Sequence, residues 1–286
     1  MPTETIDGNQ IAYEVIGDRG DPWIITPGGR FPKDTPGVRE LAQVIADEGY
    51  RVVIWDRPNT GESSVCFNGP TESDMQADAL AGLLRRLDLG PATIVGGSGG
   101  ARVSLLAAIN HPDVTAKLAV LWITGGVSGL MGLGVVYCAP SIRAAWRGGM
   151  TAVADLPDWA EVLERNPANR DRILGLDRDE FIATMERWMR AYYPTPGSTV
   201  PGIADDRLRD FHTPTLIFRS GAVDPEHTRA TTERVHDLIP DSKLVEPPWG
   251  DNEWNERCDA FLAGESPGLF LRWPLLAPTL LDFARQ

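Results

Sequence analysis

A glycine-rich turn at residues 96–100 constrains the fold of this chain more than any other stretch. It reads Gly-Gly-Ser-Gly-Gly, with Ser98 at its centre, and fits a Gly-x-Ser-x-Gly pattern. The β-branched run Ala92–Val95 before it predicts a buried strand, and Ala101–Ala108 after it predicts a helix. A serine in so tight a turn is held in a strained conformation, and only glycine-sized neighbours let the chain reverse. The sequence therefore predicts a nucleophile elbow at Ser98.

The same turn predicts a place where negative charge can be stabilised. The Gly99 amide would lie at the N-terminus of the following helix and point at the space above the Ser98 hydroxyl. An amide in that position can stabilise a developing oxyanion. The simpler alternative is a glycine-rich turn whose serine only caps a helix. The strand before the turn and the helix after it favour the elbow.

Composition indicates an ordinary globular protein. The 286 residues, 42% apolar and 23% charged, are enough for one large domain with an insertion. The net charge of −13 argues against a nucleic-acid partner, because phosphate binding requires a basic face. The polar N-terminus does not resemble a signal peptide, and we find no apolar run of the ~18 residues that a membrane span needs.

The three cysteines, Cys66, Cys138 and Cys258, are scattered through the chain. Their spacing suggests neither a disulfide framework nor a metal site, so we expect a reducing, cytoplasmic location and no metal. The glycine cluster holds a serine and not a phosphate site, so we expect no organic cofactor. We expect no membrane partner and leave a homodimer open.

Strand and helix patterns alternate through the first 124 residues, after a hairpin over Thr5–Val15. The predicted strands are Trp23–Thr26, Val52–Trp55, Ala92–Val95 and Leu118–Ile123, and the helices between them are Val38–Glu48, Met75–Leu87 and Ala101–Ala108. Fully apolar strands of this kind are typical of a parallel sheet. The alternation predicts an α/β fold.

Residues 125–202 interrupt the alternation with helical patterns and no convincing strand. The predicted helices there are Pro140–Val153, Pro157–Arg165 and Arg178–Tyr193, and the alternation resumes with a strand at Pro214–Phe218 and a helix at Pro225–Leu238. We therefore expect a core of residues 1–124 and 203–286, with residues 125–202 forming a helical cap over the C-terminal edge of the sheet. Some cap aromatics could line an apolar pocket, but most should form the cap's own core.

Four motifs, in this order, make the chain resemble the α/β-hydrolases, and within them the capped esterases, lactonases and C–C bond hydrolases. They are Pro27-Gly28-Gly29, the segment 56–63 (Asp-Arg-Pro-Asn-Thr-Gly-Glu-Ser), the Ser98 elbow and the segment 220–224 (Ser-Gly-Ala-Val-Asp). The resemblance covers nearly the whole chain. It implies a mostly parallel eight-stranded sheet flanked by helices, with a helical cap insertion.

The resemblance also implies roles for individual residues. Ser98 corresponds to the nucleophile and Asp224 to the acid, in the family's chain order of nucleophile, acid and histidine. The oxyanion donors would be the Gly99 amide and an amide near Gly29 or Arg30.

The chain departs from the family at the histidine. The family has a Gly-His pair after the last strand, whereas residues 247–254 read Pro-Pro-Trp-Gly-Asp-Asn-Glu-Trp, with Asp251 at the histidine's place. No histidine follows His236. A serine hydroxyl needs a base within hydrogen-bond reach. A carboxylate with a pKa near ~4 is a weak substitute unless burial raises that pKa.

Among the four histidines, His227 is placed where it could act. It follows a predicted strand at the edge where open α/β sheets bind ligands. It also lies three residues after Asp224, which brings the two side chains together on a first turn. We predict that His227 is a displaced base. The others, His111, His212 and His236, are predicted away from the site.

Two alternatives to this prediction stay open. Asp224 could be the N-cap of a helix that begins at Pro225, with His227 a solvated first-turn residue. Asp251 could instead serve as a catalytic carboxylate. In an apolar pocket beside Trp249 and Trp254, a neutral Asp251 could donate a proton.

Two arginines near the predicted site also have alternative roles. Arg57, with Asp56, is predicted to fix its loop through polar contacts to the backbone, with substrate contact as the alternative. Arg30 follows the oxyanion glycines, where it could bind a substrate carboxylate in bidentate fashion or remain solvated.

The sequence as a whole predicts a serine-dependent hydrolase of a small, largely apolar carbonyl compound, such as an ester, a lactone or a vinylogous ketone. Ser98 would attack the carbonyl or position a water, with His227 as the base. Two alternatives belong to other classes. One is a lyase, isomerase or cyclase of the same fold that forms no acyl-enzyme, and the other is a binding protein without chemistry.

Overall fold

Eight strands form one sheet in the computed structural model, which describes residues 2–286. The strands are β1 (Thr3–Ile6), β2 (Asn9–Ile16), β3 (Pro22–Thr26), β4 (Arg51–Trp55), β5 (Ala92–Gly97), β6 (Thr115–Leu121), β7 (Thr215–Phe218) and β8 (Ser242–Val245). Their order is β1-β2-β4-β3-β5-β6-β7-β8. Strand β2 runs antiparallel to both neighbours, and the remaining pairs are parallel. The predicted eight-stranded, mostly parallel sheet is confirmed.

Helices cover both faces of the sheet. They are α1 (Val38–Asp47), α2 (Glu72–Leu87), α3 (Gly99–Asn110), α4 (Val127–Ala154), α5 (Pro157–Arg165), α6 (Ala168–Leu174), α7 (Arg178–Arg190), α8 (Asp205–Arg209), α9 (Arg229–Leu238), α10 (Glu253–Leu262) and α11 (Ala277–Ala284). One apolar layer joins the sheet to α2, α3 and α9, and the other joins it to α1, α11 and the segment before α11. The central strands are therefore buried on both faces, as parallel strands require.

The segment between β6 and β7 is helical where a cap is predicted. Helices α4 to α7 share an apolar cluster, which also includes Val65, Cys66 and Met75 of the core and in which Trp159 and Trp188 are buried. Helix α4 is longer than predicted and is interrupted at Gly149, where φ is +68°. Helix α6 was not predicted. Because the cap is joined to the core beside the C-terminal ends of the strands, it can cover a site at that edge.

One segment of the cap departs from the expectation that no apolar run is long enough to span a membrane. By length and composition alone, Val127–Arg165 would be apolar enough to cross a membrane. A single such segment is weak evidence, because the core helix of a soluble protein passes the same test. The break at Gly149 and the packing of α4 against α7 indicate a cap helix.

Candidate active site

Ser98 occupies the sharp turn between β5 and α3, with φ 55° and ψ −123°. A non-glycine residue at positive φ is strained, and such strain clusters at functional sites. The turn needs small neighbours: a Cβ atom on Gly28 would lie 2.6 Å from the Ser98 Cβ, and one on Gly100 would lie 2.1 Å from the Thr26 carbonyl oxygen. Ser98 makes no capping hydrogen bond to α3, so the alternative of a helix-capping serine does not hold.

The Ser98 hydroxyl lies within hydrogen-bond distance of an imidazole. Nε2 of His227 is 2.8 Å from the Ser98 Oγ, and Nδ1 of the same ring is 3.0 Å from Oδ2 of Asp224. Because an ionised carboxylate can only accept a hydrogen bond, we assign the proton to Nδ1, which leaves Nε2 to accept from the serine hydroxyl. This is an arrangement in which an imidazole can take a hydroxyl proton.

Asp224 and His227 belong to one short loop between β7 and α9. Oδ1 of Asp224 accepts hydrogen bonds from the backbone amides of Glu226 and His227, at 3.0 and 2.8 Å. Both residues are buried, with 5% and 1% of their surface exposed. One carboxylate therefore fixes the loop backbone with one oxygen and orients the imidazole with the other.

The helix that was predicted to begin at Pro225 begins instead at Arg229. Its N-cap is Thr228, whose hydroxyl oxygen accepts a hydrogen bond from a backbone amide of the first turn. Asp224 closes a turn of its own, because its carboxylate binds the next amides before a helix can start. Since His227 is buried, the alternative of an N-cap followed by a solvated histidine is wrong.

The remaining histidines bond to other parts of the molecule. Their partners are Asp78 for His111, Asp241 for His212 and Ser242 for His236, at 2.7, 3.1 and 2.8 Å. Among residues 2–286, no group of three or more His, Cys, Asp or Glu side chains could hold a metal ion.

Tryptophan rings surround the imidazole of His227. Trp254 meets it edge to face, with ring centroids 4.4 Å apart and planes at 87°. Trp122 stacks on it at 6.2 Å and 25°. Trp249, a predicted site residue, packs on Trp122 at 5.6 Å and so contributes to the same aromatic cluster. These rings exclude water from His227 and restrict its movement.

Two backbone amides without a hydrogen-bond partner lie in the loop and the turn beside Ser98. The Gly29 nitrogen would lie 3.4 Å from a Cβ atom on Gly99, so the two glycines are close neighbours across the site. Within residues 2–286, neither the Gly29 amide nor the Gly99 amide donates a hydrogen bond to another protein group. Two neighbouring, unpaired amides next to a serine hydroxyl are candidates to bind an oxyanion.

Arg57 holds the loop that carries Gly29. Its Nη2 donates to the carbonyl oxygens of Gly28 and Gly29, at 3.1 and 2.7 Å. Because a trans peptide places N–H opposite C=O, fixing the Gly28 carbonyl turns the Gly29 amide away from Arg57. Burial lowers the pKa of Arg57 to about 10, which leaves the guanidinium charged at neutral pH. The predicted role of Arg57 in fixing a loop through backbone contacts matches this geometry.

Arg30 is enclosed and not solvated. Its guanidinium lies 4.3 Å from the ring centroid of Trp159, and its Nη2 is 3.5 Å from the Glu72 carboxylate. Burial alone would lower the pKa of Arg30, but Glu72 and neighbouring groups raise it overall. Tyr137 also borders the loop, since a Cβ atom on Gly29 would lie 3.3 Å from its hydroxyl. Burial raises the pKa of Tyr137 to about 12, so this hydroxyl remains a neutral donor.

Asp251 does not lie in an apolar pocket. Its side chain is 58% exposed and forms an ion pair with Arg229. The alternative in which Asp251 lies in an apolar pocket beside Trp249 and Trp254 and donates a proton is therefore wrong in its premise, because the side chain lies outside such a pocket. The prediction failed because Arg229, the partner that holds Asp251 outward, is 22 residues away in the chain.

Sequence reasoning missed two residues of the site. Trp122 follows β6 at the same sheet edge as Ser98, and that position was the available signal. Its φ of 50° is unusual for a bulky residue. Glu226, between Asp224 and His227, accepts a hydrogen bond from the Trp254 indole, and no local sequence pattern predicts that contact.

Sequence comparison identifies the class of protein that this fold and site define. A family model described as "Alpha/beta hydrolase family" matches residues 22–280. Because that match spans most of the 286 residues, the chain belongs to the α/β-hydrolase family.

Individual relatives match over shorter stretches. A 2-hydroxy-6-oxononadienedioate/2-hydroxy-6-oxononatrienedioate hydrolase from Burkholderia vietnamiensis is 36% identical over 84 residues, 29% of this chain and 28% of that protein. The hydrolase of the same name from Escherichia coli is 30% identical over 136 residues, 44% of this chain and 47% of that protein. The chain thus matches less than half the length of either relative.

Solved structures match over the whole chain at lower identity. The enol-lactonase of Burkholderia xenovorans superposes with a TM-score of 0.60 and 23% identity, covering 100% of both chains. A meta-cleavage product hydrolase from Pseudomonas fluorescens gives a TM-score of 0.63 and 18% identity, covering 100% of this chain and 97% of that one. These similarities show a shared fold.

Proposed function

We propose that this protein is a serine hydrolase in which Ser98 is the nucleophile, His227 the base and Asp224 the residue that orients the base. The observation that carries the proposal is the continuous hydrogen-bond chain from the Ser98 hydroxyl through both nitrogens of His227 to Asp224. Burial of the last two residues keeps that chain out of water and strengthens it.

The geometry supports a two-step acyl transfer. His227 takes the proton of the Ser98 hydroxyl as its oxygen attacks the substrate carbonyl, and the amides of Gly29 and Gly99 bind the resulting oxyanion. His227 then returns the proton to the leaving group. In the second step, His227 removes a proton from the water that attacks the acyl-enzyme, and it then gives that proton to the Ser98 oxygen as the acyl–oxygen bond breaks and the acid is released.

The substrate that we propose is a small carbonyl compound that carries a carboxylate. Arg30 supports this choice, because its guanidinium is enclosed beside the oxyanion loop and, although Nη2 contacts Glu72, its buried Nε has no hydrogen-bond partner within residues 2–286. The names of the two hydrolase relatives, which describe dioates, agree with such a substrate. Whether the bond cleaved is an ester, a lactone or a carbon–carbon bond depends on the pocket under the cap.

A burst experiment tests the nucleophile. With p-nitrophenyl butyrate in excess, we expect one rapid equivalent of p-nitrophenol per chain, and a fluorophosphonate should attach to the peptide that contains Ser98. Ser98→Ala should abolish both results. Full turnover by Ser98→Ala, or a phosphonate attached elsewhere, would show that acyl transfer does not pass through this serine.

A pair of matched substrates tests Arg30. We expect Arg30→Met to raise KM for the mono-p-nitrophenyl ester of glutaric acid about 10-fold, the size of one charge-assisted hydrogen bond. The uncharged butyrate ester controls for misfolding and should keep its KM within about 2-fold. Equal changes for both esters would mean that Arg30 does not recognise the carboxylate.

A further inference from the structure

The segment 251–255, in the loop after β8 and the first turn of α10, makes three polar contacts with the loop that carries His227. Asp251 forms an ion pair with Arg229, Nε1 of Trp254 donates to the Glu226 carboxylate at 2.8 Å, and Nδ2 of Asn255 donates to a backbone carbonyl at 3.0 Å. That carbonyl belongs to residue 223. Positions 223 and 229 flank Asp224 and His227 in the chain, and position 226 lies between them.

Trp254 has a second contact that bears directly on the imidazole. The hydrogen bond from its indole to Glu226 fixes the plane of the ring, and the ring then meets His227 edge to face at 4.4 Å. Trp122 stacks on the imidazole as well, with ring centroids 6.2 Å apart, so two tryptophan rings pack on His227. A ring held in this way keeps Nε2 at the 2.8 Å that proton transfer from Ser98 requires.

We infer that Trp254 is a positioning residue for His227 and that Glu226 anchors Trp254. The inference rests on the proposed function, in which His227 is the base. The loop after β8 contributes no base of its own in this site, and it acts by holding the loop after β7. Neither Trp254 nor Glu226 touches the reacting atoms.

Four variants test the inference through the rate at which a fluorophosphonate labels Ser98. Trp254→Phe keeps an aromatic ring but loses the bond to Glu226, and we expect labelling to slow about 10-fold, because small displacements of a base are costly. Glu226→Ala should slow it by a similar factor, and Glu226→Gln, which keeps an acceptor oxygen, should recover most of that loss. Trp146→Phe is the matched control, because Trp146 is 62% exposed on the cap.

A misplaced base and a damaged fold predict different kinetics. With p-nitrophenyl butyrate, we expect Trp254→Phe and Glu226→Ala to lower kcat and leave KM within about 2-fold. The double variant should be no slower than Trp254→Phe alone, because the two residues act through one hydrogen bond. The Tm of each variant is measured alongside. If Trp254→Phe folds poorly, Glu226→Ala still tests the positioning role, because residue 226 is only half-buried.

Two outcomes would overturn the inference, and they differ. If His227→Ala slows labelling strongly but Trp254→Phe and Glu226→Ala stay within about 2-fold of wild type, the positioning role is wrong and the proposed function stands. If His227→Ala labels at the wild-type rate, the base is misassigned, and the positioning role falls with the proposed function.

Discussion

The loops that follow β7 and β8 lie side by side at the C-terminal edge of the sheet, and they have opposite characters. The loop after β7 buries Asp224 and His227 and directs the imidazole at Ser98. The loop after β8 exposes Asp251, whose carboxylate pairs with the half-buried Arg229. In the proposed function, the burial and the direction of a side chain therefore decide whether it supports proton transfer. The order of residues along the chain matters less.

The loop after β7 can supply both acid and base because its geometry is set locally. Asp224 and His227 are three residues apart, and the carboxylate binds the intervening backbone as well as the imidazole. In the family pattern, by contrast, the histidine comes from the loop after the last strand. Here the first turn of α10, which follows that loop, contributes Trp254 to the surroundings of the imidazole.

Removing His227 from the loop after β7 gives the largest expected effect, and adding a histidine to the loop after β8 tests whether that loop can replace it. We expect His227→Ala to lower kcat for p-nitrophenyl butyrate about 10³-fold, the usual size of general-base catalysis. Adding Asp251→His to that variant should recover less than about 10-fold, because residue 251 faces solvent and Arg229. Recovery close to the wild-type rate would show that the two loops are interchangeable.

Replacing the acid tests whether the loop after β7 orients its own base. Asp224→Asn keeps an oxygen for the backbone amides, but it places an amide N–H opposite Nδ1 and so favours the wrong imidazole tautomer. We expect kcat to fall about 10²-fold or more with little change in Tm. The control is Asp241→Asn, which alters the exposed partner of His212. Similar rates for the two variants would argue against an orienting role for Asp224.

A smaller effect on kcat is expected at Arg57, which lies outside the loops after β7 and β8. Arg57→Met removes the bonds that hold the carbonyls of Gly28 and Gly29, and we expect kcat to fall about 10-fold as the oxyanion amides lose their fixed direction. KM should change little, because the oxyanion forms only in the transition state. An unchanged kcat would place the oxyanion donors elsewhere.

The smallest effect is expected at the exposed ion pair of the loop after β8. Asp251→Asn should lower the free energy of unfolding in urea by no more than about 1 kcal/mol, because both partners are solvated. Arg85→Gln, which breaks another exposed pair, is the comparison. A much larger loss at Asp251 would mean that this loop stabilises the fold and not only the position of His227.

The features that could be predicted from the sequence are those that depend on neighbouring residues. The Ser98 elbow follows from the steric limits of one tight turn, and the parallel sheet follows from apolar strands in alternation with helices. His227 could be predicted as a candidate because it lies close to Asp224 in the chain and follows a strand.

The features that could not be predicted depend on contacts between distant segments. Asp251 pairs with Arg229, and the imidazole packs against Trp122, just after β6, and Trp254, in the first turn of α10. The start of α9 was misplaced because Asp224 can cap either a helix or a turn, and local propensity does not separate the two. Helix α6 could not be predicted, because it is stabilised by packing against the other cap helices and not by a local sequence pattern.

The central claim is that the loop after β7, and not the loop after β8, supplies the base that activates Ser98. The most direct test is the second-order rate constant for fluorophosphonate labelling of Ser98 in His227→Ala and in Asp251→Ala, measured side by side. We predict a loss of about 100-fold or more in the first variant and of no more than about 3-fold in the second. A loss in Asp251→Ala as large as that in His227→Ala would contradict this account.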